Sequence, residues 1–149
     1  MPLSLDIITQ ERVVYAADDL EMVVAPGIDG VLGILPRHTP VLTALREGEL
    51  KILRAGEEEF FAVGGGFMEV RPDRVIVLAE TAEVADEIDE ARAEEARKRA
   101  EEMLKDKPPG VDVARLEGVL RRSRVRLQVA RRRRRRRRRR GGRAGPGGG

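Results

Sequence analysis

Apolar and polar residues alternate in short runs over the first 85 residues of the chain. Runs such as RVVYAA, GELKILRA and RVIVLAE have the length of a strand and are rich in Val, Ile and Leu. Turn residues separate the runs, at Pro26-Gly27, Asp29-Gly30, Ala55-Gly56 and Pro72-Asp73. Because these runs recur at roughly 8–12 residues, they predict a small antiparallel β-sandwich or barrel over residues 1–85.

A helical pattern replaces the alternation after residue 85. The segment DEIDEARAEEARKRAEEMLK contains no Gly or Pro and consists almost entirely of strong helix formers. Its apolar stripe is thin and depends mainly on alanines, among them Ala93, Ala96 and Ala100. The segment DKPPG ends this helix, and Asp112 is predicted to cap a second one.

Two helices joined by a short break predict an antiparallel hairpin over residues 86–130. One side of the seam between them is Ala and the other is Leu, which gives close but weak packing. A hairpin that detaches from the sandwich and a static hairpin both have such a seam. The pattern does not choose between them.

Charge divides the chain into an acidic part and a basic tail. Eleven of the 29 basic residues lie in residues 131–149, which contain no acid, so residues 1–130 carry 18 basic and 26 acidic residues. The tail begins with ten consecutive arginines and continues into a glycine-rich end, a composition that predicts a disordered segment over residues 131–149. An acidic folded part argues against a nucleic-acid-binding domain, which needs its positive charge on the folded surface.

Residue types with catalytic or ligand chemistry are scarce. The chain has no Cys and only one His, His38, which predicts no thiolate metal site and favours a turn residue at that position. The glycines in VGGG (residues 63–66) lack the Lys-Ser or Lys-Thr of a phosphate-binding loop and lie between strand-like runs, which favours a bulge or tight corner. No uncharged run reaches membrane-spanning length and the first residues do not resemble a signal peptide, so a cytosolic protein is expected.

Four arginines of the predicted hairpin are spaced so that each helix has two of them on one face. Arg92 and Arg99 are seven residues apart on the first helix, and Arg122 and Arg126 are four apart on the second. If these faces meet, the guanidinium groups converge, which is costly unless an anion lies between them. From the spacing alone, a solvated face of two charged helices is the favoured interpretation.

Several long segments of the chain resemble the epsilon subunit of bacterial F-type ATP synthases. They are LEMVVAPGIDGVLGILPRHTPVLTALREGELKI, FFAVGGGFMEVRPDRVIVLAETAE and EIDEARAEEARKRAEE, in that order within residues 5–130. The resemblance implies an N-terminal β-sandwich and a C-terminal helical pair, the division already indicated by the patterns. It also implies a non-catalytic subunit of the central stalk, peripheral at the cytoplasmic face of the membrane.

By this resemblance the sandwich binds the gamma subunit and rests on the membrane rotor ring of c subunits. Residues 26–33 and the segment LPRHTP match the ring-facing edge, which places Asp29, Val31 and His38 at the ring contact. Many family members have an acid where this chain has Val31. Either Asp29 replaces it in the contact, or the contact is less polar here.

The resemblance assigns the helical pair a regulatory role. Extended into the alpha/beta catalytic head, its second helix inhibits ATP hydrolysis through basic residues, which correspond here to Arg121, Arg122, Arg124 and Arg126. The segment IDEARA (residues 88–93) matches the family's I-D-x-x-R-A motif, which in some members binds a regulatory ATP. The implied ATP-binding residues are Glu83, Ile88, Asp89, Arg92, Ala93, Arg99, Arg122 and Arg126.

The arginine run departs from the family and leaves two alternative functions, nucleic-acid binding and binding to an anionic membrane, both through the tail alone. No nucleic acid is expected as a partner of the folded part. The run extends the helix that is thought to enter an acidic cavity, so we expect it to strengthen inhibition of hydrolysis electrostatically.

Overall fold

A computed structural model describes residues 2–143, with side chains described for residues 2–133. The eight strands are β1 (Leu3–Ile8), β2 (Val13–Leu20), β3 (Met22–Gly27), β4 (Gly30–Ile34), β5 (Val41–Arg54), β6 (Glu57–Val70), β7 (Arg74–Ala79) and β8 (Ala82–Val84). A 3-10 turn (Ala85–Glu87) leads into two helices, α1 (Glu90–Asp106) and α2 (Val113–Arg143). The predicted β-sandwich followed by two helices is confirmed.

The strands form one sheet in the order β2-β1-β7-β6-β5-β3-β4, with β8 paired to β6. Alternate residues of β1 are buried, as the alternation of its sequence predicts. The predicted antiparallel arrangement needs one correction, since β1 pairs with β7 in parallel from Ser4 opposite Arg74 to Ile8 opposite Leu78. This pair joins segments about 70 residues apart, and no local pattern in the sequence encodes it.

Strands β5 and β6 are long and paired over almost their whole length. The sequence pattern predicts two separate strand-like runs over each of them, PVLTAL and GELKILRA over β5, and EEFFAVGGG and FMEVRP over β6. In the structure, β6 bends at Gly65 and Gly66, whose φ angles are 93° and 125°. There β6 changes partner from β7 to β8, so the predicted corner is present inside a continuous strand.

Two apolar clusters hold the chain together. The larger fills the sandwich with side chains from most of the strands. The smaller, which we call the docking cluster, holds the helices on the sandwich. It consists of buried Phe60, Ala62, Ala85 and Val129, with Ile88 and Val125 packed against it. Between the helices, α1 presents two buried alanines, Ala93 and Ala100, so the seam has the small side chains that the sequence predicts.

Side-chain caps begin both helices. Asp89 accepts a hydrogen bond from the Arg92 amide at 3.1 Å, and Asp112 accepts one from the Arg115 amide at 3.1 Å, as predicted for Asp112. Lys107, in the left-handed conformation, ends α1.

Helix α2 continues to Arg143, through the first part of the segment predicted to be a disordered tail. Arginine is a good helix former, and Arg131, Arg132 and Arg133 each pair with a carboxylate of the packed domain, which favours helix there. The last six residues of the predicted tail, 144–149, lie outside the described residues.

Candidate functional site

A cavity of about 630 Å³ lies between the sandwich and the two helices. Four of the eight predicted ATP-binding residues line it: Glu83 from β8, Arg92 from α1, and Arg122 and Arg126 from α2. Of the four arginines whose spacing suggested that they converge, Arg92, Arg122 and Arg126 therefore line one cavity, and Arg99 does not.

The other four predicted residues are not in the cavity lining. Asp89 caps α1, Ala93 is fully buried in the helix seam, and Ile88 packs against the docking cluster. Arg99 is exposed to solvent on α1. In this conformation three of these residues position the helices, because their side chains are used for capping and packing.

Glu83 and Arg126 form the strongest polar contact across the cavity. Arg126 Nε and Nη2 donate to the two carboxylate oxygens of Glu83 at 2.7 and 3.0 Å. The geometry is bidentate, the arrangement in which an arginine and a carboxylate bind best, and both side chains are about two-thirds buried. This pair ties α2 directly to the short strand that precedes the helices.

Arg92 has no side-chain hydrogen bond or ion pair among the described residues. Its guanidinium group lies in the lining of the same cavity as Arg122, which reaches Glu47 only at 4.0 Å. A guanidinium group without a carboxylate partner carries an unneutralised charge and five N–H donors. The cavity therefore has the chemistry to bind an anion such as a phosphate group.

Sequence reasoning missed one wall of the cavity, the turn between β1 and β2. This turn contributes Arg12, whose Nη2 lies 3.3 Å from Glu87 Oε2, and the turn is closed by the Thr9 side chain. A turn so far along the chain from the helical arginines leaves no signal in a local motif. Only the three-dimensional arrangement identifies it.

All four arginines of the predicted inhibitory contact face carboxylates of the same chain. Arg126 pairs with Glu83, and Arg124 Nη2 lies 3.7 Å from Glu101 of α1. The remaining two share one acid: Arg121 Nε is 3.5 Å and Arg122 Nη1 4.0 Å from carboxylate oxygens of Glu47 on β5. In this compact conformation the basic surface of α2 is turned toward the protein's own acids.

The predicted ring-facing edge is largely apolar at its surface. Val31 is 63% exposed, and Ile28 and Leu35 beside it in sequence are similarly exposed. Asp29 is also exposed, whereas His38 is half-buried in a turn, where its Nδ1 lies 2.7 Å from the Thr39 carbonyl oxygen. Three exposed apolar side chains thus flank the one exposed acid.

Within residues 2–143, neither helix is long and apolar enough to cross a bilayer. In the same part of the chain, no three acidic or histidine side chains are grouped closely enough to hold a metal ion.

Comparisons with known proteins divide the chain into two matched segments. Residues 2–85 match the family model described as the β-sandwich domain of the ATP synthase delta/epsilon chain, and residues 86–131 match its long α-helix domain. The chain is 53% identical over 131 residues to the ATP synthase epsilon chain of Herpetosiphon aurantiacus, covering 88% of this chain and 96% of that one. It is 56% identical over 129 residues to that of Dehalococcoides mccartyi strain BAV1, covering 86% and 91%.

Two solved structures have a similar fold. A chain in the mitochondrial ATP synthase of Euglena gracilis superposes with a TM-score of 0.71 at 20% identity, covering 80% of this chain and 76% of that one. A chain in the central stalk and c-ring of the Tetrahymena thermophila mitochondrial enzyme gives 0.51 at 19% identity, covering 60% and 71%.

Proposed function

The chain belongs to the ATP synthase epsilon-chain family, and on that premise we propose that it couples rotor rotation to ATP synthesis and restrains ATP hydrolysis. It is a non-catalytic subunit, so its contribution is mechanical and regulatory. In this role it sits in the central stalk, peripheral at the cytoplasmic face of the membrane. The chemistry takes place on the alpha/beta head.

The sandwich has the surfaces that such a coupling role needs. We assign the contact with the c-subunit ring to the edge formed by Ile28, Asp29, Val31 and Leu35, which is exposed and mainly apolar. With Val31 in place of an acid, the contact depends on apolar area together with Asp29. The gamma subunit binds another face of the sandwich.

The regulatory part of the proposal is supported by one observation above all. Each arginine that would bind acidic segments of the catalytic head lies within 4.0 Å of a carboxylate of this chain, and Arg126 is held by Glu83 in a bidentate pair. Extension of the helices breaks these contacts and frees the arginines for the head. The compact conformation is therefore the non-inhibitory one, and inhibition requires that the internal carboxylates be exchanged for those of a partner.

A regulatory ATP would bind the compact conformation in the cavity between the helices and the sandwich. Arg92 and Arg122 have donors available for phosphate oxygens, and Glu83 holds Arg126 in place beside them. A ligand that binds one conformation alone shifts the population toward it. At an ATP concentration 100 times Kd the compact form gains about 2.7 kcal/mol.

The test is the thermal midpoint of the full chain with and without ATP. We expect a rise of about 5–10 °C at 100 times Kd. Arg92→Gln should remove most of the rise, because this side chain has no other described partner, and Arg115→Gln, with the same charge change on the first turn of α2, should keep it. Asp89→Ala is a poorer probe, since it also removes the cap of α1.

An unchanged midpoint of the wild-type chain at millimolar ATP would contradict the ATP-sensing role and leave the coupling role untouched. The coupling and inhibitory roles are tested by assembly with the gamma subunit and by the hydrolysis rate of the reconstituted complex. Truncation after Ala130 separates them from nucleic-acid or membrane binding through the arginine run. If the truncated chain neither assembles nor inhibits, the run carries the function and the proposal is wrong.

A further inference from the structure

The first three residues of the arginine run contact acids on three different elements. Arg131 lies 3.8 Å from Glu90 and 3.6 Å from Glu94, both on α1. Arg132 pairs with Glu49 on β5, and Arg133 pairs with Asp86 in the 3-10 turn. The match to the family model of the helical domain ends at residue 131, so Arg132 and Arg133 lie beyond the matched segment.

Arg132 makes the most enclosed of these contacts. Its Nε lies 3.1 Å from Glu49 Oε2, and the Glu49 side chain is only 15% exposed. Burial raises the pKa of the Glu49 carboxyl, and the charge of Arg132 is the largest influence in the opposite direction. The guanidinium carbon also lies 6.0 Å from the centre of the Phe60 ring, within reach of a cation–π interaction.

Helix geometry explains how three consecutive residues reach three elements. Successive side chains of an α-helix point about 100° apart, so three of them fan out over about 200° of its circumference. Here each of the three directions meets an acid, on α1, β5 or the 3-10 turn. We call this surface the acidic groove and define it by Glu49, Asp86, Glu90 and Glu94.

Two of the four acids of the groove, Glu94 and Glu49, also contact residues outside the run. Arg97 donates a hydrogen bond to Glu94, which lowers the pKa of that carboxyl and keeps it ionised. The Gln128 amide nitrogen lies 3.4 Å from Glu49 Oε2. The groove is thus a formed anionic surface next to the docking cluster that contains Val129.

We propose that the acidic groove is a docking surface for residues 131–133 and that this contact holds the helices in the compact conformation. The start of the run then opposes extension of α2, which is the reverse of the expectation that the run strengthens inhibition. Docking itself is independent of the proposed function. Only its consequence for ATP hydrolysis rests on that function.

Hydrogen exchange of the α2 amides in the full chain tests the docking, because exchange detects rare opening of a packed helix. The variant R131Q/R132Q/R133Q should speed exchange of amides 115–130 about fivefold, the combined effect expected for several partly exposed ion pairs. Gln matches Arg closely in helix propensity. The control R138Q/R139Q/R140Q removes the same charge further along the run and should leave these rates unchanged.

The reciprocal variant E49Q/D86N/E90Q removes three of the four acids of the groove instead and leaves Glu94. It should speed exchange to a similar extent, and combining it with R131Q/R132Q/R133Q should add little, because both remove the same contacts. The proposal would be overturned if R138Q/R139Q/R140Q speeded α2 exchange as much as R131Q/R132Q/R133Q. It would also be overturned if the effects of R131Q/R132Q/R133Q and E49Q/D86N/E90Q on exchange were fully additive. Unchanged exchange in R131Q/R132Q/R133Q would contradict it as well.

In the reconstituted complex, R131Q/R132Q/R133Q should inhibit hydrolysis more strongly than wild type. If exchange accelerates while hydrolysis is unchanged, docking is established and the inhibitory part of the proposed function fails. If inhibition weakens although exchange is unaffected, the run acts on the head directly and docking in the groove is refuted.

Discussion

Val129 connects the helices to the sandwich through packing alone, which makes it the sharpest probe of the compact conformation. Its side chain has no exposed surface and packs in the cluster with Phe60, Ala62 and Ala85. It makes no polar contact that could confuse the result. Val129→Ala therefore changes only the apolar part of docking.

The magnitude follows from the atoms removed. Val129→Ala deletes two buried carbons, worth about 0.8 kcal/mol each, and the cavity left behind raises the cost to about 2 kcal/mol. The equilibrium between docked and undocked helices should shift by about 15- to 30-fold. Val113→Ala is the matched control, since it deletes the same atoms where the side chain is 41% exposed.

Hydrogen exchange of the full chain measures this shift element by element. We expect the α2 amides of Val129→Ala to exchange about 15- to 30-fold faster, while the amides of β5 and β6 keep their protection. If amide exchange speeds up in the strands together with α2, the hairpin and the sandwich unfold as one unit. The helices then do not undock independently of the sandwich. If Val129→Ala behaves like Val113→Ala, the cluster does not hold the helices.

Three further predictions concern the sandwich, pH and the helix cap. Gly66→Ala should lower the free energy of unfolding, measured in thermal melts, by about 3 kcal/mol or more. Its Cβ would lie 2.1 Å from the Leu78 carbonyl oxygen, at a φ of +125°. The control Gly56→Ala, at a φ of +75° with no atom within 4 Å of the added Cβ, should lower it much less. Burial raises the pKa of Glu49 above 4.5, so the stabilising contribution of its protonated form is lost as the pH rises. The free energy of unfolding of Glu49→Gln, minus that of wild type, should therefore increase between about pH 4 and 7, and a decrease in this difference would contradict the sign. Asp89→Ala should cost about 1 kcal/mol and speed exchange in the first turn of α1 without affecting the strands.

Local patterns predicted the elements well because each depends on its own residues. Alternation identified the strands, and the glycines of VGGG marked the corner of β6. The cap at Asp112 and the alanine seam at Ala93 follow equally from neighbouring residues.

Long-range contacts could not be predicted in the same way. Nothing in the sequence near Leu5 indicates its parallel partner Val75. Arg12 reaches the cavity, and Glu49 meets Arg132, only because the folded chain brings distant segments together. The composition of the arginine run likewise contains no information about the acids that its first three residues contact.

The parallel pairing of β1 with β7 has a consequence for the order of assembly during synthesis. Strand β1 is made first, yet its partner β7 appears only with residues 74–79, so the sheet cannot close until more than half of the chain exists. The arginine run is made later still. By then Glu49, Asp86, Glu90 and Glu94 have all been synthesised. The most basic segment of the protein is thus made only after every acid that its first residues contact in the folded chain.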